Sequence, residues 1–314
     1  DRRYTRSRGF MQDVVAIFED LASSGATTAR GAMYELAWAA KHASEIERLY
    51  VVPKKAFPFP WTTDVFFDTM PETVLEHKIE LEPIHTRLDQ YDLIVLAYQP
   101  WFLSPSLPIS SLLQSPAFQK LMKGTPVVTL VAGRNMWLNS QESIKKYIKA
   151  AGGILVGNIP FVDKTSNLVS VLTILHWMLT GKKTRKWGFF PLPGVSKRDI
   201  EGARQFGQLT RAALLNSNFD FLQKQIINTG EIYIPTDILF IEERAKKIFY
   251  IWANLITKQS TDISKRNTLV TLFKYYLLIA LFIVSPILLL VYHVFIAPFA
   301  KNTIRRKKEY FYGL

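Results

Sequence analysis

Two stretches decide the fold: Asp92-Leu-Ile-Val-Leu-Ala-Tyr98 and Pro126-Val-Val-Thr-Leu-Val-Ala132. Each is a short apolar run, the pattern of a strand buried on both faces of a parallel sheet. Working outward, Ile46-Glu-Arg-Leu-Tyr-Val-Val52 and Gly153-Ile-Leu-Val-Gly157 read as further strands. Residues 111–123 and 140–151 read as helices between them. Strand and helix alternating over such short connections give right-handed βαβ units. The expected fold is therefore α/β, a parallel sheet with helices on both faces.

The composition narrows the chemistry. The chain has 314 residues, 48% of them hydrophobic, enough for a substantial core. It contains no cysteine, which excludes disulfides, thiolate metal sites and cysteine nucleophiles. Its five histidines form no H-x-x-x-H or H-E-x-x-H pair, so no metal site is expected. The net charge of +13 calls for an acidic partner: nucleic acid, anionic lipid or a phosphorylated cofactor. No DNA- or RNA-binding motif is present, and no nucleic-acid partner is expected.

Part of that charge flanks an apolar C-terminal run. Residues 277–300 read LLIALFIVSPILLLVYHVFIAPFA, without Asp, Glu, Lys or Arg. A run of this length can cross a hydrocarbon core of about 30 Å. Lys258, Lys265, Arg266 and Lys274 precede it, and Lys301, Arg305, Arg306, Lys307 and Lys308 follow it. This near balance leaves orientation open. Ser285-Pro286 permits a kink or a re-entrant hairpin that returns both basic flanks to one leaflet. The expected organisation is an α/β domain (1–180), a basic, proline-bearing linker (181–195), a helical subdomain (196–268), a transmembrane or re-entrant anchor (269–300) and a basic tail (301–314). The expected location is a bacterial inner membrane, with the α/β domain facing the cytoplasm and the bilayer as a partner.

Parallel sheets bind ligands beyond the carboxyl ends of their strands. After Tyr98 comes Gln99-Pro-Trp-Phe-Leu-Ser-Pro-Ser-Leu-Pro108; after Ala132 comes Gly133-Arg-Asn-Met-Trp-Leu-Asn139. Gln99, Pro100, Trp101 and Phe102 in the first loop, with Gly133, Arg134, Asn135, Met136 and Trp137 in the second, suit a planar heteroaromatic ligand. The competing reading has the rings capping the sheet as core. Arg134 is a candidate for a carboxylate or the polar edge of such a ligand, against a surface ion pair. His176 is a weak acid–base candidate, set against a satisfied structural histidine. Asp64, Asp68 and Glu72 are candidates for a substrate entrance or plain exposed acids.

The same loops carry a resemblance. Strand, aromatic-proline loop, helix, strand, Gly-Arg-Asn loop, helix and strand resemble a flavodoxin-like fold, whose corresponding loops embrace the isoalloxazine ring of FMN. More specifically, Phe57-Pro-Phe-Pro-Trp61, Tyr98-Gln-Pro-Trp-Phe-Leu-Ser-Pro-Ser106, Gly133-Arg-Asn-Met-Trp137, Val156-Gly-Asn158, Ile174-Leu-His-Trp-Met178 and Phe273-Lys-Tyr-Tyr276 resemble the bacterial family labelled dialkylresorcinol condensing enzyme.

The flavodoxin-like resemblance implies FMN as cofactor, with its phosphate held by a Ser/Thr/Gly loop after the first strand. The matching loop is Ser23-Ser-Gly-Ala-Thr-Thr28, with Ser23, Ser24, Gly25 and Thr27 as phosphate-site candidates. Glu19 and Asp20 on its approach oppose that reading, and such clusters often only cap helices.

The second resemblance implies a hydrophobic substrate of the cyclohexanedione or resorcinol type. A chain without cysteine is not a standard ketosynthase. Flavin-dependent aromatisation is therefore the expected activity, with a ketosynthase or acyl carrier protein as a further partner. The alternatives are a membrane FMN electron carrier and a flavin-free scaffold for the condensing enzyme.

Overall fold

The structure is a computed structural model, and it describes residues 12–19 and 44–314. Five parallel strands form one sheet: β1 (Gln12–Glu19), β2 (Ser44–Val51), β3 (Leu93–Tyr98), β4 (Pro126–Gly133) and β5 (Ile154–Val162). They lie side by side in the order β2-β1-β3-β4-β5. This is the 2-1-3-4-5 order of flavodoxin-like sheets, with a topological switch point where β1 meets β3. The fold is flavodoxin-like.

Both faces of the sheet are covered, which is why β3 is buried along its whole length. On one face Ile94, Leu96, Tyr98, Val127 and Val131 pack against the Leu107–Leu113, Pro116–Met122 and Leu138–Ala150 helices, joined by Ile238 and Leu239. On the other, Leu93, Val95, Val128, Leu130 and Ile159 meet Phe206 and Leu214 of the Ala203–Leu215 helix and Leu222 and Ile226 of the Leu222–Asn228 helix. A polar chain crosses the first core. Tyr98 OH donates to Gln141 Oε1 (2.7 Å), Gln141 Nε2 to Thr129 Oγ1 (3.1 Å), and Thr129 Oγ1 to Asn158 Oδ1 (3.0 Å). Each buried group in the chain is satisfied, so it fixes register rather than weakening the core.

The structure departs from the sequence expectations in two places. The helix expected over 111–123 is two short helices: Ser115 caps the second, accepting from Phe118 N, and Pro116 starts it. Proline favours the first turn of a helix and breaks an interior, so the division follows from Pro116. The segment expected to form a separate helical subdomain instead supplies the cover of the sheet's second face. Within that segment the expected helices occur as Ala203–Leu215 and Thr236–Thr257, and Ser196 caps the Lys197–Glu201 turn by accepting from Asp199 N (3.1 Å).

The apolar run was expected as a membrane helix or a hairpin, and the first alternative holds in form. It is one continuous helix, Ile263–Ile296, long and apolar enough by length and composition to cross a membrane. It does not double back at Ser285-Pro286. Proline removes an N–H and crowds the carbonyl four residues earlier. A wider π-turn over Ala280–Val284, just before the proline, accommodates both without a break. The basic tail forms the Lys301–Tyr312 helix, and Phe311 and Tyr312 pack against the core of the sheet domain.

Candidate functional site

At the carboxyl ends of β3 and β4 lies a cavity of about 240 Å³. The chain after β3 turns into a small hairpin, pairing Pro100 with Pro105 and Trp101 with Ser104. Its two loop residues, Phe102 (φ +45°) and Leu103 (φ +65°), both have positive φ. A two-residue hairpin of the I′ type requires this. For residues other than glycine it costs about 1–2 kcal/mol each. Packing offsets that cost: Phe102 lies 4.8 Å from Phe66 between ring centroids, and Leu103 is buried in a cluster with Phe67, Phe249 and Phe273.

The hairpin leans on the loop after β4. A Cβ placed on Gly133 would stand 2.9 Å from Pro100 Cδ, so only glycine permits this approach. Gln99, Pro100, Trp101 and Phe102 line the cavity from one side, and Gly133, Arg134 and Met136 from the next. Trp61 backs the wall, packed edge-on against Trp101 at 5.4 Å and held by a hydrogen bond from its backbone N to Met178 O (2.9 Å). Ile174, Leu175, Trp177 and Met178 of the Asn167–Thr180 helix form the facing side, and Leu277, Leu278 and Leu281 of the long apolar helix complete it.

Arg134 brings charge into this apolar space. Its guanidinium donates to Asn167 O (3.0 Å) and Asn167 Oδ1 (2.9 Å) and touches Met136 Sδ (3.3 Å). Burial lowers its pKa to about 10, against the opposing pull of Asp163 and Glu242. It is therefore still cationic at neutral pH, held inside the site rather than in a surface ion pair. Beside it, Asn135 is buried, and its Oδ1 finds no hydrogen-bond partner among the described residues. A buried amide oxygen without a donor is costly. Asn135 itself does not border the cavity; the fit to a planar heterocycle rests on the flat faces of Trp101 and Phe102 and on the cation of Arg134, which do.

Several expected site residues lie elsewhere. Trp137 is in the core behind the loop, where it packs with Tyr98 and Leu138, and does not border the cavity. Its place at the start of the Leu138–Ala150 helix turns the ring inward. His176 points away from the cavity, with Nε2 3.1 Å from Thr184 Oγ1, and its neighbours on the helix do the lining. Asp68 and Glu72 do not frame an entrance. They bind Arg266, with Nε 2.8 Å from Asp68 Oδ1 and Nη1 3.0 Å from Glu72 Oε1. The phosphate-site candidates Ser23, Ser24, Gly25 and Thr27 lie outside the described residues. Among the described residues, no cluster of His, Asp and Glu could hold a metal ion.

Sequence reasoning also missed contributors. Phe66, Phe249 and Leu281 read as ordinary apolar helix positions, and nothing local distinguishes a cavity wall from core. Trp61 and the 174–178 string enter the sequence reading through the resemblance alone.

No family model matches the chain, and no curated protein matches it. Among solved structures, it is similar to a flavoprotein in complex with FMN from Lactobacillus acidophilus NCFM, at 14% identity and a TM-score of 0.37, covering 48% of this chain and 93% of that one. It is also similar to two-electron reduced Megasphaera elsdenii flavodoxin, at 13% identity and a TM-score of 0.28, covering 54% and 99%. A third similar structure is the Trp repressor binding protein from Bacillus subtilis, at 12% identity and a TM-score of 0.27, covering 54% and 99%. The flavodoxin-like assignment rests on the strand order of the sheet itself.

Proposed function

We propose that the protein is a membrane-attached flavodoxin-like flavoprotein that binds FMN in the β3–β4 cavity and oxidises a hydrophobic ring substrate. One observation carries this reading: the loops of two adjacent strands converge, at the carboxyl end of the sheet, on a ring-lined cavity whose far wall is the apolar helix. In sheets of this order FMN binds at the β1/β3 switch point, and the hairpin after β3, the strand shared by the switch point and the cavity, supports this reading. Trp101 and Phe102 give flat apolar faces and Arg134 a cation for an electron-rich edge. The Ser23–Thr28 loop would hold the phosphate.

The substrate proposed is the cyclohexanedione of a dialkylresorcinol-type lipid pathway, and the reaction is aromatisation to the resorcinol. Two hydrogens would leave the ring, a hydride to the two-electron acceptor that bound flavin would supply and a proton to solvent. An external electron acceptor would be needed to reoxidise the flavin. The chain's own part is to orient the ring and exclude water, which the apolar walls favour. A ketosynthase or acyl carrier protein would deliver the substrate. The bacterial inner membrane is the proposed site, with the α/β domain on the cytoplasmic side.

The test is turnover by the detergent-purified, FMN-loaded protein. A 2,5-dialkylcyclohexane-1,3-dione should yield the resorcinol and bleach the flavin anaerobically, one ring per flavin. Flavin retained but not bleached would leave a membrane electron carrier; no flavin retained would leave a scaffold.

A further inference from the structure

Both ends of the long apolar helix are fastened to the body that carries the sheet. At its start, Arg266 is held by Asp68 and Glu72, and Phe273 is fully buried beside Phe67 and Phe249. At its far end, Tyr292 stacks on Phe240 at 4.0 Å and His293 Nε2 lies 2.6 Å from Asp237 Oδ1. The tail then returns to the domain. Lys307 binds Glu243 (2.6 Å), Tyr310 OH donates to Glu142 Oε2 (2.8 Å), and Gln223 joins Tyr312 O to Asn158 N of β5, each at 2.8 Å.

A crossing helix cannot satisfy this. The hydrocarbon core would set Tyr292 and the tail about 30 Å from the domain, on the other side of the bilayer. Every contact of the far end and the tail would be lost.

Between its fastened ends the helix nevertheless exposes hydrocarbon. Ile279, Ile283, Ile287, Leu290 and Val294 recur at helical spacing along one stripe, each more than half exposed. A second exposed apolar element sits by the same rim. Trp187 and Phe189 are 69% and 70% exposed, in a loop that begins with Lys182, Lys183, Arg185 and Lys186. That loop runs into Gly194 and Val195, which border the cavity together with Leu277 and Leu281. Aromatic rings beside basic residues suit the interface of an anionic leaflet.

We propose that this protein is monotopic: the Ile263–Ile296 helix lies in the plane of one leaflet, and the cavity opens into hydrocarbon between Leu281 and the loop over 187–192. A substrate with alkyl chains then enters sideways from the leaflet and never crosses water. This rests on the membrane attachment proposed above and not on the flavin.

The chain has no cysteine, so single-cysteine variants need no background removal. Full-length protein is reconstituted into sealed vesicles of phosphatidylcholine and phosphatidylglycerol, and flotation is scored first. Ser260→Cys and Asn302→Cys, exposed on the two flanks, are then treated with a membrane-impermeant maleimide. Spin labels at Ile279→Cys, Leu281→Cys, Ile287→Cys and Val294→Cys report depth. We expect both flanks to react from the same side and the labels at 279, 287 and 294, on the exposed stripe, to lie at similar depth in the hydrocarbon. Flanks reacting from opposite sides, or a depth spread approaching the roughly 22 Å of 15 helical residues between positions 279 and 294, would overturn the inference. So would a label at 287 well below those at 279 and 294, the signature of a hairpin. A label at 281 accessible to aqueous quenchers would overturn leaflet entry. Failure to float removes the membrane attachment itself; floating with flanks on opposite sides removes only the monotopic arrangement.

Discussion

Gly133 and Pro100 touch so closely that no side chain fits between them: a Cβ on Gly133 would meet Pro100 Cδ at 2.9 Å. This contact joins the loops of two neighbouring strands and sets the width of the cavity they border. Gly133→Ala should push the Pro100–Pro105 hairpin outward. An overpacked contact of this kind costs about 1–3 kcal/mol. We expect a modestly lower urea midpoint together with at least a tenfold loss of FMN affinity, measured by flavin fluorescence on the folded protein. Unchanged affinity would mean the two loops do not frame the ligand together.

Glu242 is a buried acid, 1% exposed. Its Oε1 accepts from Asn139 N (2.7 Å), but desolvation dominates and raises its pKa to about 7. The sign follows: an acid whose pKa is higher in the folded than in the unfolded state favours folding when protonated. That contribution is complete below about pH 4.5 and is lost as the pH rises towards 7, over a range worth about 3 kcal/mol. Glu242→Gln keeps the shape and an acceptor for Asn139 N. Its stability, followed by urea unfolding from pH 5 to 8, should change less with pH than that of the parent, with the variant the more stable at pH 8.

Gln223 ties the C-terminal tail to β5 through both ends of its amide. Gln223→Leu keeps the bulk and leaves Asn158 N–H and Tyr312 O without this partner, at a cost of about 1–3 kcal/mol. Because Tyr312 anchors the Lys301–Tyr312 helix, tryptic cleavage at Arg305, Arg306, Lys307 and Lys308 should speed up before global unfolding does. A cleavage rate equal to the parent's would mean other contacts hold the tail.

Arg266 fastens the start of the apolar helix to the domain through Asp68 and Glu72. Its own pKa is raised by those two acids, over the opposing effect of burial. The pair is partly exposed, so its worth is modest and screened by salt. Arg266→Met should lower the melting temperature by a few degrees at low ionic strength and by less at high ionic strength, as read by circular dichroism in detergent.

The sheet was legible because both of its faces are buried. That makes Leu93–Tyr98 and Pro126–Gly133 almost uninterrupted apolar runs, which no surface strand would be. The two site loops could be found by the rule that ligands sit beyond strand ends. Their individual side chains were harder. Trp101 faces the cavity and Trp137 the core, because a hairpin carries one outward while a helix start turns the other in. No local pattern separates the two. His176 stood in a string that does line the cavity, but helical geometry aims it at Thr184, away from Leu175 and Met178. The walls given by Phe249 and Leu281 are long-range contacts, readable only once the chain has folded. The proline of Ser285-Pro286 signalled a break that the π-turn before it absorbs.

The central claim is a flavin held between the hairpin after β3 and the loop after β4. The most direct measurement adds FMN to the detergent-purified full-length protein, removes the excess, and records the visible absorption spectrum of the parent and of a folded Trp101→Ala variant. Oxidised-flavin bands retained near one per chain in the parent, and at least tenfold weaker retention in the variant, are the predicted result. A folded parent that retains no flavin, or a variant that retains as much as the parent, would contradict the account.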